Sequence, residues 1–327
     1  MLECRVCGAR GEHERFVARE MMFGRRDPFE YFACGSCGCL QIVEVPAGLS
    51  AHYPSDYYSF ARPREGRVKR FLKRRRAVHL LEGRSAIGRV AARWFGVPDL
   101  FAWIAVTGVQ PDDEILDVGS GGGHLLLQLR DIGFRRLTGI DPYLRTEAGP
   151  AEGVRLLRRR VEEVEGEFDL VMMHHAFEHV PDPRDVLAHV RRLLRPGAVA
   201  LIRIPLADSW AWEHYRTDWV QLDAPRHLYL HTRRSMEILA NQVGLRLERV
   251  IHDSTAFQFW GSEQYRRDIP LRDPRSHAVN PRASLFTREQ IREFERRAGD
   301  LNAEGRGDQA AFYLRKARGV TGGNFEF

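Results

Sequence analysis

The chain has 327 residues, 43% of them hydrophobic, which is enough for one large or two modest domains with a buried core. Its 50 Lys and Arg outnumber 44 Asp and Glu for a net charge of +6, concentrated in Arg-rich stretches that indicate an anionic partner without specifying one. No run approaches the roughly 18 apolar residues of a membrane helix, and the opening MLECRVCG lacks the basic and apolar regions of a signal peptide, so a cytoplasmic protein is predicted. The first feature along the chain is cysteine spacing: Cys4, Cys7, Cys34 and Cys37 form two CxxC pairs, each followed by glycine. In a reducing compartment four sulfurs at this spacing predict a tetrahedral Zn²⁺ site, structural because four protein ligands leave no open position. The glycines let the chain fold back so that backbone amides face the thiolates. Cys39 is left over, as an ordinary small side chain, an alternative ligand or a redox-sensitive thiol. Residues 1–48 read as a small ribbon whose core is Phe16, Phe23, Phe29, Tyr31 and Phe32, too little to hold it together without metal.

Residues 52–60, HYPSDYYSF, suit either a substrate wall or aromatic packing between ribbon and main domain. Residues 62–93 read as a basic amphipathic helix containing KRFLKRRR, with Val68, Phe71, Leu72, Val78 and Leu81 at helical spacing. Such a helix can lie on anionic lipid, contact nucleic acid, or carry solvated charge on a packed element. Residues 90–106, with Trp94, Phe95, Leu100, Phe101 and Trp103, read as a helix over a cofactor pocket or against a sheet.

The chain is organised around residues 114–126, EILDVGSGGGHLL. A short apolar strand ends near Asp117, glycines crowd the next turn, and leucines at helical spacing follow, which is a strand, a tight turn and a helix N-terminus. A second strand, 136–140, ends in Asp141 about 20 residues past the first glycine, where a carboxylate binds a ribose hydroxyl pair. Asp117 can take a ligand ammonium. An amine, a ribose and no phosphate describe S-adenosylmethionine.

With the segments FDLVMMHHAFEHVPDP (168–183) and LLRPGAVALIRIP (193–205), the chain resembles the class I S-adenosylmethionine-dependent methyltransferases of the type 11/23 group over residues 110–260, preceded by a four-cysteine zinc ribbon. The alternation of elements predicts an α/β fold, a doubly wound Rossmann-like sheet. Strands are expected at 114–118, 136–140, near 154–158, 169–173, 199–204 and 245–252, with helices at 123–131, 184–194 and 233–243. The resemblance implies an antiparallel last strand, assigned to 255–261. The domains are then 1–60 (ribbon), 61–108 (basic helical segment), 109–262 (cofactor-binding domain) and 263–327, an extension whose helix at 287–298 is capped by Thr287 and whose role as lid, dimer contact or tail stays open.

The resemblance implies that Asp117, Gly119, Gly121, Gly123, Asp141, Pro142, Val161 and His174 contact the cofactor, with the segment 160–162 against the adenine. Two histidine-bearing segments compete for proton transfer from an acceptor: His174, His175, Glu178 and His179 after the fourth strand, and DAPRHLY (223–229), which contains His227. Histidine suits the task because its free pKa lies near working pH. His227, His175 and His179 are the candidate catalytic residues, each also readable as a structural hydrogen-bonding group. Trp210, Trp212 and Trp219 could stack on a sugar or pack in the core. The layout resembles chains associated with sugar modification, so the expected activity is methyl transfer to a hydroxyl or carbon of a small molecule, a sugar nucleotide or glycan precursor. The alternative is an RNA methyltransferase gripping phosphates through the ribbon and the basic helix.

Overall fold

The computed structural model describes residues 2–52 and 99–318. The tyrosine-rich stretch after His52, the basic helix expected over 62–93, Trp94 and Phe95 lie outside the described residues. The N-terminal part comprises β1 (Leu2–Glu3), β2 (Arg10–Gly11), β3 (Glu14–Arg19), β4 (Pro28–Ala33) and β5 (Leu40–Ile42). There follow α1 (Asp99–Ala105), β6 (Glu114–Val118), α2 (His124–Ile132), β7 (Arg136–Ile140), β8 (Ala148–Ala151), β9 (Val154–Leu157), β10 (Phe168–His174), α3 (Pro183–Leu193) and β11 (Leu194–Pro205). The chain continues through α4 (Trp210–Tyr215), β12 (Tyr229–Leu230), α5 (Arg233–Gln242), β13 (Leu245–His252), α6 (Phe257–Arg266), α7 (Arg288–Ala303) and β14 (Gln309–Lys316).

The main sheet runs β13-β14-β11-β10-β6-β7-β9-β8. Strands β9, β7, β6, β10 and β11 are mutually parallel, as the alternating pattern requires. Local chemistry sets the helix ends. Asp182 caps α3 through the Asp185 amide with Pro183 at the first turn, left-handed Gly133 closes α2, and Thr287 caps α7 as expected, in a capping box with Gln290. The short hairpin β8–β9 extends the sheet edge by one antiparallel strand. Among the described residues no helix is long and apolar enough to cross a membrane.

Two expectations change. Residues 257–266 form α6 rather than the last strand. Phe257 and Phe259 alternate like a strand, but the buried residues are Gln258, Phe259, Gly261, Ser262, Gln264 and Tyr265, a helical spacing, and the segment packs on Val220 so closely that a Cβ on Gly261 would stand 2.7 Å from the Val220 side chain. The antiparallel strand is β14, inserted between β11 and β13 and antiparallel to both. The boundary at 262 therefore falls inside the fold: part of 263–327 is a central strand, with Ala310, Ala311, Phe312 and Leu314 fully buried because both faces of the sheet are covered there.

The ribbon is likewise no separate body. Strand β12 pairs with β5, completing a four-stranded sheet β12-β5-β4-β3, and one apolar cluster runs from Tyr31, Leu40 and Ile42 to Leu206, Trp219 and Leu228. A hydrophobic core too small to support the ribbon alone is thus enlarged by the main domain.

Candidate active site

The glycine turn lies beyond the carboxyl end of β6, where parallel sheets bind ligands. Gly119, Gly121 and Gly123 all have positive φ (78°, 50° and 74°). Two of them are also steric: a Cβ on Gly119 would stand 2.6 Å from the Ala176 Cβ, and one on Gly123 2.7 Å from Leu156. Gly119→Ala is accordingly expected to cost about 1–3 kcal/mol from strain and overpacking. Urea denaturation checks this, and parental stability would show that the turn relaxes freely. Asp141 accepts from the Gly121 amide at 3.0 Å and the Tyr143 amide at 2.8 Å, tying the second strand's end to the turn. Burial still raises its pKa, against those amides.

Asp117 is more exceptional. It is buried, and burial first, then the Asp141 charge, pushes its pKa up to about 8. A carboxylate held there with no ion-pair partner among the described residues is suited to a ligand ammonium, so the donor set fits the amino and ribose ends of S-adenosylmethionine. Pro142 follows Asp141, its carbonyl accepting from Arg158. Val161 is buried and opens a single 3₁₀ turn, Val161–Glu163, after β9. His174 is half-buried beside Trp103 of α1, with ring centroids 5.2 Å apart, which puts part of the expected helix over this end of the sheet. Burial, then the Arg203 charge, lowers the His174 pKa to about 3.

The chain turns sharply at His175, a non-glycine residue at φ 49°, and this brings together the second group. Arg203 of β11 donates to His175 Nε2 at 2.6 Å, so His175 carries its proton on Nδ1 and donates to Glu178 Oε1 at 3.2 Å. Asp253 holds Arg203 from the other side at 2.6 Å. Glu178 is fully buried, and its Oε2 has no hydrogen-bond partner among the described residues. Burial would raise its pKa, but the His175 hydrogen bond and the charges of His179, His175 and His227 outweigh it and hold the group at about 2.

His179 and His227 meet edge to face, centroids 4.8 Å apart. Each donates its Nδ1 proton to a main-chain carbonyl, His179 to Arg226 at 2.8 Å and His227 to Gln221 at 2.7 Å. The lone pair of each ring is therefore on Nε2. His227 Nε2 stands 3.9 Å from Glu178 Oε1 and 3.8 Å from Asp223 Oδ2. Burial, then the His179 charge, lowers the His227 pKa to about 4, the flanking carboxylates notwithstanding. The near-neutral pKa that recommended histidine does not survive burial at His227 or His174.

Several residues that sequence reasoning passed over hold this group in place. Arg226, fully buried, pairs with Asp223 and with Glu20 of the ribbon. Tyr31 donates to the His227 carbonyl at 2.8 Å. Asp308, just before β14, accepts from Trp219 and Gln221 and so fixes the loop that binds the His227 ring. Trp219 and Trp212 are core residues rather than a stacking platform. Arg203 was the one detectable signal, a lone charge inside the apolar run LIRIP.

In the ribbon, Cys4, Cys7, Cys34 and Cys37 each place a sulfur within 4.8 Å of the others. The Cys4–Cys37 and Cys7–Cys34 sulfurs are 3.6 Å apart, close to the roughly 3.8 Å between tetrahedral thiolates at Zn–S distances of about 2.3 Å. The two knuckles repeat one geometry: Gly8 donates to the Cys4 carbonyl and Gly38 to the Cys34 carbonyl, each at 2.8 Å. Amides of Cys7 and Cys37 and the Gln41 side chain point at sulfurs. Cys39 stands outside, buried 3.8 Å from His231 Nδ1, with its thiol pKa raised by burial, which suits a packing side chain.

A family profile described as a methyltransferase domain matches residues 64–250. The chain is 34% identical over 106 residues to a ubiquinone biosynthesis O-methyltransferase of Pseudomonas aeruginosa, covering 29% of this chain and 45% of that protein. The corresponding Thiobacillus denitrificans protein is 31% identical over the same length and shares. The matched stretch thus spans less than half of these relatives. Among solved structures, a cyclopropane synthase from Mycobacterium tuberculosis aligns with TM-score 0.43 at 17% identity, covering 68% of this chain and 84% of that one. The 1,6-didemethyltoxoflavin-N1-methyltransferase of Burkholderia thailandensis aligns with TM-score 0.41 at 15%, covering 79% and 93%. With a glycine turn between Asp117 and Asp141 and a family match over more than half its length, the chain belongs to the methyltransferase-domain family, in the class I S-adenosylmethionine-dependent group.

Proposed function

We propose that the protein transfers a methyl group from S-adenosylmethionine to a hydroxyl of a small molecule, with the four-cysteine cluster holding a structural zinc ion. The observation that carries this reading is the contact between Gly119 and Ala176. The cofactor turn is pressed against the segment bearing His175, Glu178 and His179, which sets a methyl donor bound at the turn beside the Glu178, His179 and His227 cluster. Bound there, S-adenosylmethionine supplies a methyl group on a cationic sulfur. The chain's own residues bind and orient: Asp117 takes the ammonium, Asp141 the ribose, and Trp103 with His174 closes one side. The cluster of Glu178, His179 and His227 is where the acceptor hydroxyl sheds its proton, and alignment of the two ligands supplies much of the rate.

A hydroxyl is preferred to a carbon acceptor because the curated relatives are named as O-methyltransferases. Those names refer to ubiquinone biosynthesis and lend nothing to the sugar or glycan precursor expected from the ribbon layout. Nothing among the described residues favours nucleic acid. His227→Ala is expected to lower kcat by about 10²–10⁴-fold while S-adenosylhomocysteine affinity, measured by calorimetry, stays unchanged. Assayed against phenolic, sugar and RNA acceptors, the parent should methylate a phenol or another small hydroxyl compound. Transfer to RNA alone, or a His227→Ala variant with full turnover, would overturn the assignment.

A further inference from the structure

The arrangement around Glu178 matches the binding of an ion better than the holding of a single proton. One ligand atom from each of Glu178, His179 and His227 lies within 4.8 Å of the others. Both rings donate Nδ1–H to main-chain carbonyls, the outer-shell contact that orients metal-ligating imidazoles and raises their basicity. The separation of 3.9 Å between His227 Nε2 and Glu178 Oε1 is too long for a hydrogen bond. It lies within the roughly 3–4 Å that separates two ligands of one ion at bond lengths near 2.0–2.2 Å. Glu178 Oε2, in a residue that is 0% exposed, has no hydrogen-bond partner among the described residues. A buried carboxylate oxygen left this way is costly unless something else neutralises it.

We propose that Glu178, His179 and His227 form a second metal site, distinct from the four-cysteine cluster, for a divalent first-row transition ion such as Mn²⁺, Fe²⁺ or Zn²⁺. Two imidazoles and a carboxylate select these ions over Mg²⁺ or Ca²⁺, which take oxygen ligands. Three protein ligands leave coordination positions open, as in catalytic rather than structural sites. The His175–Arg203–Asp253 chain fixes the Glu178 carboxylate.

The inference rests on the proposed methyl transfer only for its role, and it says how the acceptor loses its proton. An ion held by these three side chains would lower the pKa of an acceptor hydroxyl that coordinates it. The O–H proton then leaves to water as the acceptor binds. Its oxygen attacks the methyl carbon, the C–O bond forms as the C–S bond breaks, and the bonding pair returns to sulfur as a neutral thioether.

The test is Mn²⁺ binding to the full-length, zinc-replete protein, followed by loss of the free-ion signal in electron paramagnetic resonance. One Mn²⁺ per chain is expected in addition to the ribbon zinc. Glu178→Gln and His227→Ala should each weaken binding by about 100-fold, with S-adenosylhomocysteine binding as the check that both variants fold. Should they fail that check, Co²⁺ added to the zinc-replete parent decides: d–d bands without sulfur charge transfer support the site, and their absence overturns it. No Mn²⁺ uptake, or uptake that two folded variants leave unchanged, also overturns it. Uptake without methyl transfer would remove the proposed reaction and leave the site standing. Methyl transfer without uptake would remove the ion alone.

Discussion

Arg226→Met is expected to destabilise the protein by about 3–5 kcal/mol at neutral pH, because it strands two buried carboxylates facing an apolar side chain. Arg226 is fully buried, with Nη2 3.0 Å from Glu20 Oε1 and 2.5 Å from Asp223 Oδ1, and Nε 2.9 Å from Asp223 Oδ2. Glu20 also accepts from the amides of Phe23 and Arg25, so one guanidinium joins a ribbon turn to the DAPRHLY loop. Burial would raise the Asp223 pKa, but the charge and hydrogen bonds of Arg226 outweigh it and leave the group depressed. A depressed carboxylate stabilises the fold above its unfolded pKa, near 3.9, and that contribution is lost as pH falls through the folded value. The gap between parent and variant in urea denaturation should therefore be widest near pH 7 and shrink below about pH 4. Arg226→Lys should recover only part, since an ammonium cannot reproduce the forked contact with Asp223. A loss below about 1 kcal/mol at pH 7 would mean that water or a rearrangement reaches the stranded carboxylates.

The second large effect concerns Asp117, whose pKa of about 8 makes cofactor binding a proton-linked event. An ammonium needs the ionised carboxylate, so S-adenosylhomocysteine affinity should rise up to about tenfold per pH unit on approaching pH 8 from below, then level off. One proton should be released on binding, which calorimetry in buffers of different ionisation enthalpy measures directly. Asp117→Asn should remove the slope and weaken binding at pH 8 by about 2–5 kcal/mol. The ligand-free protein should respond in the opposite sense. A carboxyl whose folded pKa lies above its unfolded value stabilises fully at low pH, and that contribution is lost as pH rises through the folded value. Without ligand, the parent should therefore lose stability from about pH 4 to pH 8, and Asp117→Asn should be the more stable protein near pH 8. A flat affinity profile for the parent would show that Asp117 does not meet the ammonium.

Both effects bear on how far the sequence could be read. Strands at 114–118, 136–140 and 245–252 coincide with β6, β7 and β13, because a short apolar run bounded by glycine or a charge is a signal spanning only a few residues. The same holds for Thr287 as a cap and for the CxxC knuckles, where Cys and Gly lie next to the amides they orient. Asp117 and Asp141 could be picked out because the ligand-binding end of a parallel strand follows from strand order.

What sequence alone determined was local: the parallel half of the sheet, most helix ends, the four thiols and the two carboxylates around the glycine turn. Tertiary structure decided the rest. The aromatic alternation of α6 reads as a strand until the buried face against Val220 makes it a helix, while QAAFYLRK becomes a strand by fitting between β11 and β13. Arg226 and Glu20 lie 206 residues apart, and no spacing rule connects them. The histidines were visible as residues, but their protonation was not, since it depends on how much water each ring loses and on which charges the fold brings near it. Hydrophobic period, capping and turn chemistry are written over a few neighbouring residues, whereas burial and charge pairing depend on groups that meet only after the chain has folded.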